Sequence, residues 1–516
     1  MSLFSKPPLR FATRWAIVPV FILSVATAAT RAGLDAGPDT DTDTDTTAAA
    51  TSASDPCLHQ HARQAVGADA ERAGAAIRAL RQAGPDGLQV LLQTHRLDIE
   101  RLWIPQPLPA APDPDPDPAA NRSAIEPPSA TRHLSIWFSP DNLATTVRQA
   151  HARAASGERR LARLRHAIEQ VAAQRDAHAS GLFWHTDLAA AKRAAAELQR
   201  PILSLRLLGR LDEELSCANS RLFRTTLYPD PGISELLRES FVLHWESVRP
   251  APRITIDYGD GRRFEQTITG NSIHYLLALD GTPLDALPGL YSPREFAGWL
   301  TEAIALTEQY VRRNPAHDMD FLRRHHRERL QIVRGTMPEL LWEDWLSRNG
   351  RAGQMQPEAR AAAAAALTMA KTIMEFPALR QAGMGGPSPA PPLADMLVRD
   401  SERRRGEVEL SPEARALIRA KQGAGHDPAR LAAMVGQLEQ AIAGDTALNE
   451  MVLRPRLRQW FAEGLIPSDL GQLTDLVYAD LFLTPLDDPW MGLAETEFWP
   501  ALDHGGRRQD QLANID

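Results

Sequence analysis

Between residues 184 and 307 the apolar positions change period several times, and each change marks an element. Trp184, Leu188, Ala191, Ala195 and Leu198 fall on one face of a helix. Pro201 stops that helix. Ile202, Leu203, Leu205, Leu207 and Leu208 then make a nearly unbroken apolar run, the pattern of a strand buried on both faces. The next helical piece starts near Cys217 and carries Leu222, Phe223 and Leu227 to the Pro229-Asp230-Pro231-Gly232 turn, after which 233–241 resumes the helix. Residues 241–248 read as a second strand, and 253–269 as a hairpin around Gly259-Asp260-Gly261. Strand 272–279, the tight turn Asp280-Gly281, strand 284–290 and a closing helix over 293–307 complete the stretch. The pattern predicts an α/β domain over 181–308, a central mixed sheet with flanking helices.

The remaining chain is helical in period. In 55–104, residues 75–80 and 88–92 form a helix pair joined by the Gly84-Pro85-Asp86-Gly87 turn. Residues 131–180 read as a helical bracket, with the helix over 142–178. From 309 to 516 strand signals are scarce. Ser411-Pro412-Glu413 marks a helix start, with a cap residue followed by proline in the first turn. Residues 359–374 form an Ala-rich helix, 383–392 a flexible break, and 428–443 and 467–483 further helices. Trp342, Trp345, Trp460, Trp490 and Trp499 read as core anchors, and no repeat is regular enough for a solenoid.

The N-terminus changes the picture. Lys6, Arg10 and Arg14 precede the apolar run 15–26, and Ala26-Thr27-Ala28 offers a cleavage site. Residues 1–32 therefore read as a signal peptide, and the mature chain as periplasmic or secreted, with membrane contact only through that signal if it stays uncleaved. The Asp-Thr-rich stretch 33–54 reads as a disordered linker, and 105–130 as a Pro/Asp-rich linker. The formal net charge of −8 owes much to these acidic runs. No Lys/Arg stripe stands out, so nucleic acid is not an expected partner.

The 181–308 stretch resembles the thioredoxin-like family. Residues 272–300, through Asp280-Gly281 and Gly289, are similar to the last hairpin and helix of thioredoxins. The helix ending at Leu198, followed by Pro201-Ile202-Leu203, resembles exported thioredoxin-like proteins, in which such a helix leads into the strand before the active-site cysteine. There are departures. The family's Cys-x-x-Cys is Cys217-Ala218-Asn219-Ser220 here, and the loop 210–216 is longer. The proline that faces the cysteine pair falls at Ile273, and the 253–269 hairpin stands where a helix is usual.

Cys217 is the candidate nucleophile. A helix N-terminus favours a thiolate, whereas Asp212, Glu213 and Glu214 just upstream oppose one. The resemblance places Ser220 at the resolving position and His274 near the thiol, where it could tune it. Cys57 is the only other cysteine, a bridging partner for Cys217 or a residue that bonds other molecules. Cys57, His59 and His61 alternate as soft and imidazole ligands do, but beside a tether and without a matching cluster they read as a solvated terminus. His325-His326 reads as a charged surface, and Arg262-Arg263, on the inserted hairpin near Glu265, as a solvated turn. Esterase elbow, zinc-protease, phosphate-loop and dinucleotide signatures are missing, and neither metal nor cofactor is expected.

Two functions follow as expectations. One is an exported single-thiol protein performing thiol–disulfide exchange or thiol capture at Cys217, with protein thiols as partners. Any enzymatic activity would then be of the thiol–disulfide oxidoreductase kind. The other is a non-catalytic scaffold whose helical C-terminal region binds a periplasmic protein.

Overall fold

The computed structural model describes residues 56–104, 140–267, 270–313, 319–336, 391–423, 425, 427–489 and 491. The expected signal peptide and both linkers lie outside these residues. So do the 359–374 helix and Trp342, Trp345, Trp490 and Trp499.

The N-terminal helices are α1 (Pro56–Ala65), α2 (Ala70–Gln82), α3 (Gly84–Thr94) and α4 (Arg96–Ile99), followed after a gap by the long α5 (Pro140–Ala172). They close over one apolar cluster that includes Leu80, Leu91, Leu164, Ile168 and Phe183. The expected Gly84–Gly87 turn is the first turn of α3, with Pro85 where its missing N–H costs nothing. Gly87 is obligatory there, because a Cβ would overlap the Leu80 carbonyl of α2.

Helix α6 (Leu188–Leu198) begins four residues later than its periodicity suggests, since Asp187 caps it by accepting from the Ala190 N–H. Trp184 instead lies in the segment before it, fully buried, with its indole N–H on Gln174 at 2.7 Å. Leu198 is half exposed at the far end. Strand β1 (Ile202–Leu208) is buried at every position, as an unbroken apolar run requires. After it come α7 (Ala218–Leu222), a π-helical turn (Phe223–Leu227), α8 (Pro231–Ser240) and β2 (Val242–Arg249). Strands β3 (Arg253–Asp257) and β4 (Arg263–Thr267) form a separate two-stranded sheet. Strands β5 (Ser272–Leu277) and β6 (Pro283–Pro288) and helix α9 (Pro293–Arg312) finish the unit. The main sheet is mixed and ordered β2-β1-β5-β6, with β1 parallel to β2 and antiparallel to β5. The α/β class is that expected from the pattern.

The later helices are α10 (Met319–Thr336), α11 (Pro391–Arg405), α12 (Pro412–Gln422), α13 (Pro428–Leu448), α14 (Arg454–Glu463) and α15 (Leu470–Leu476). π-Helical turns follow α13 (Asn449–Leu453) and α15 (Val477–Leu481). Ser411 caps α12 and Pro412 opens it, as the sequence indicates. These helices do not enclose a core of their own. Leu457, Phe461, Leu473, Val477, Tyr478 and Phe482 belong to the same apolar cluster as the sheet, and Trp460 packs against it. His326, expected at a charged surface, is buried, stacked on Phe461 at 4.3 Å and bonded through Nε2 to the Leu284 carbonyl at 2.9 Å. Its neighbour Arg residues take the solvent side of α10, so a composition-level reading of that helix mislocates the imidazole.

The dock between sheet and helices is specific. Asp445 Oδ2 accepts the Leu290 N–H at 3.1 Å, Thr446 Oγ1 accepts the Ser292 N–H at 2.9 Å, and Asn449 Nδ2 donates to the Leu290 carbonyl at 2.7 Å. Gly289 has φ +83°, and a Cβ on it would overlap the Asn449 amide. Gly289→Ala is expected to lower the free energy of unfolding in urea by about 2–4 kcal/mol, from left-handed strain plus overpacking. A loss below about 0.5 kcal/mol would mean that the Asn449 contact yields freely.

Candidate functional site

Cys217 ends the loop that leaves β1. Its N–H donates to the Leu208 carbonyl at 3.0 Å, and the residue caps α7 in an extended conformation. The side chain has no exposure and joins the main apolar cluster. Cys57 is exposed on α1 and Cys217 is buried, and no disulfide joins them, so the bridge considered from sequence is not formed.

Ser220 is turned inward on its own helix. Its Oγ lies 2.6 Å from Ser216 Oγ and 2.8 Å from the Cys217 carbonyl oxygen, so its hydroxyl is spent on closing the turn. His274 pairs with Leu205 across the sheet and is fully buried. Its Nε2 shares a 2.9 Å hydrogen bond with the Tyr228 hydroxyl, and Phe223 and Phe296 flank its ring at 4.7 and 5.2 Å. Burial lowers its pKa to about 3, which keeps the ring neutral. His274 therefore serves Tyr228. Tyr228 in turn lies within electrostatic reach of Cys217, and burial pushes its pKa well above the usual phenol range. Ile273 stands opposite Arg206 in the register, one residue from the Ser272–Leu207 pair.

The acidic residues before Cys217 all have partners. Asp212 pairs with Arg210 at 2.7 Å, and Glu213 accepts the Arg210 N–H at 2.8 Å. Glu214 receives Arg175 at 2.7 Å and lies 3.7 Å from Lys421 of α12. Lys421 also meets Asp176 at 2.9 Å. Burial would raise the Asp176 pKa, but Lys421 and Arg224 beside it hold it below the usual carboxylate range. Arg224 is almost completely buried and donates to the carbonyls of Glu213 and Glu214, which fixes the loop from within. The loop is thus clamped between the segment after α5, the π-helical turn after α7 and α12.

A cover from far along the chain finishes the site. The Tyr478 hydroxyl donates to the Asn271 carbonyl at 3.1 Å, and Asn271 Nδ2 donates to Thr484 Oγ1 at 3.0 Å. Arg249 donates to the carbonyls of Leu486 and Asp488 at 3.2 and 2.9 Å. Tyr478 is fully buried and lies within electrostatic reach of Cys217. Such hydrogen bonds contribute about 1 kcal/mol each. Burial of Val477, Leu481 and Phe482 contributes about 1.5–3 kcal/mol per side chain, so apolar packing dominates and the cover belongs to the core. Arg224 and Tyr228, missed from sequence, follow Cys217 by about two and three helical turns and carry no pattern beyond a cation and an aromatic in an apolar helix. Tyr478 and Thr484 are separated from Asn271 by more than two hundred residues, and no local signal marks them.

On α1, Cys57 Sγ is 3.4 Å from His61 Nε2, while His59 turns away to Thr94 Oγ1 at 3.1 Å. Among the described residues no group of three potential ligands could hold a metal ion, and no helix is long and apolar enough to cross a membrane. No family model, curated protein or solved structure matches the chain.

Four buried histidines kept without charge, His178, His244, His274 and His326, make the fold acid-sensitive. His178 and His326 are lowered to about 4 and His244 and His274 to about 3, in each case chiefly by burial. Below pH 6.5 the unfolded chain binds protons that the folded one refuses, so the stability these groups contribute is complete above pH 6.5 and is lost as pH falls toward 4. Each histidine costs about 1.4 kcal/mol per pH unit within that window. The urea midpoint is expected to fall steeply below pH 6.5, and His274→Gln should flatten the slope. An unchanged midpoint down to about pH 5 would contradict neutral burial.

Proposed function

We propose that the chain is an exported thioredoxin-like protein that acts as a non-catalytic scaffold for a protein partner. The observation carrying this reading is the complete burial of Cys217 beneath helices of the same chain. A thiol must reach a disulfide sulfur in line to exchange with it, and no such approach is open. Ser220 supplies no resolving thiol, and its hydroxyl is already engaged.

Support for the thioredoxin-like assignment comes from connectivity. A parallel β1–β2 pair, an antiparallel β5–β6 hairpin on the other side of β1 and the closing helix α9 follow the order that the 181–308 resemblance implies. The β3–β4 ribbon is an insertion between β2 and β5 in that scheme. Export to the periplasm or beyond rests on the basic and apolar N-terminal residues. The partner surface in this reading is the outer side of the C-terminal helices, since their inner side is spent on the sheet.

Single-thiol exchange or capture is the second reading, favoured by the position of Cys217 at the start of α7. There the Cys217 thiolate would attack a partner's disulfide, forming a mixed disulfide and expelling the partner's other sulfur as thiolate. An outside thiol or Cys57 would then release it.

Alkylation separates the two. Iodoacetamide is expected to modify only Cys57 in the folded full-length protein, and both cysteines after denaturation, as read by intact mass. Modification of Cys217 in the folded protein at a rate near that of Cys57 would overturn the scaffold reading.

A further inference from the structure

The β3–β4 ribbon stands apart from the main sheet. It is a two-stranded sheet of its own, so among the described residues each of its strands has a neighbour on one side only. The Tyr258 N–H donates to the Arg262 carbonyl at 3.1 Å, and Ile256 and Ile254 lie opposite Phe264 and Gln266 in the same register. Backbone groups alternate in direction along an antiparallel ladder. Tyr258, Ile256 and Ile254 therefore turn theirs to β4, whereas Arg253, Thr255 and Asp257 turn theirs to the outer edge. These three residues are exposed. On the other face Ile254 and Ile256 are half-buried, and Tyr258 and Phe264 are 58% and 38% exposed. An edge with open backbone groups beside an apolar face is a template for another strand.

The order of charges along β3 selects the strand that fits. It reads Arg253-Ile254-Thr255-Ile256-Asp257, with opposite charges at equal distances from Thr255. Laid antiparallel on a second copy about Thr255, it sets Arg253 against the partner's Asp257 and Ile254 against the partner's Ile256. The residues whose backbone groups face outward then lie opposite one another, and the register forms about six N–H···O bonds. Opposite charges and apolar residues facing each other across strands are both stabilising. Within the ribbon Arg253 lies 3.3 Å from Glu265 and Asp257 lies 2.9 Å from Arg263, which holds both side chains over its polar face. The outer edge of β4 fails the same test. Full overlap of β4 with a copy of itself is centred on Glu265, which sets two like charges opposite, and Thr267 at its end is buried.

We propose that β3 is a self-recognition edge, by which two copies of the chain join their ribbons into one four-stranded antiparallel sheet about a two-fold axis at Thr255. The contact is isologous, since each copy gives the same five residues and receives them in return. Ile254, Ile256, Tyr258 and Phe264 of both copies then share one apolar face. This contact is independent of the scaffold reading, since it involves neither Cys217 nor the outer side of the C-terminal helices.

Sedimentation velocity of the full-length protein tests it, with the protein kept reduced so that exposed Cys57 forms no intermolecular disulfide. The wild-type chain is expected to pass from monomer to dimer as its concentration rises toward about 300 μM. Arg253→Asp sets two acidic side chains opposite each other at both ends of the pair, and Asp257→Arg sets two basic ones. Each variant alone should dimerise roughly tenfold more weakly. An equimolar mixture should recover the dimer, because the aspartates of one copy then meet the arginines of the other. That recovery also shows that neither substitution has unfolded the chain. A wild-type chain that stays monomeric would overturn self-pairing and leave the edge to a strand of another protein. Variants that dimerise as tightly as wild type would also overturn the proposal, as would a mixture no more associated than its components.

Discussion

One turn of backbone holds the molecule's two halves in register. Residues 289–292 connect β6 to α9, and their polar groups are completed by Asp445, Thr446 and Asn449 from a helix more than 150 positions away. Buried backbone groups must find partners, and an edge turn of a sheet normally finds them in water. Here the partners come from side chains, so the turn can be buried only with α13 in place. The positive φ of Gly289 brings the two backbones close enough for this. Helices α14 and α15 then lie along the sheet and the Cys217 end, and the core becomes continuous from β1 to Phe482.

That arrangement explains why the interior carries so much polarity. Arg224, Asp176, His178, His274, His326, Asp285 and Arg454 are all buried or nearly so. Most serve as rivets between elements: Arg224 holds the loop before Cys217, Asp176 meets Lys421 of α12, and His326 joins α10 to β6. Ionised rivets are stable only with both members present, whereas neutral histidines hold only above their unfolded pKa. The fold therefore resists mutation and acid unevenly, being most vulnerable where imidazole rather than guanidinium makes the joint.

Much of the architecture was legible in the chain, and the reasons are local. The apolar run 202–208, the Asp280-Gly281 turn and the Ser411-Pro412 start each encode an element within a few residues, and each formed. The start of α6 was misread because Trp184 fits the helical period although Asp187 is the better cap. His326 was misplaced because surrounding arginines dominate the composition of α10. The site was legible only as a position. Cys217 at a helix start follows from the strand and loop before it, but its burial depends on Tyr478 and residues near 484, which no spacing rule connects to it.

The separation in sequence between Cys217 and its cover also sets an order in time. Synthesis proceeds from the N-terminus, and domains begin to fold as they emerge. Strands β1 to β6 and helix α9 are complete once about three hundred residues exist, whereas Tyr478 and Thr484 arrive some 170 residues later. During that interval the loop that ends at Cys217 lacks Lys421, and the end of the sheet lacks its apolar cap. The Cys217 side chain, buried in the finished chain, thus gains part of its cover only after residues 478–484 have been made.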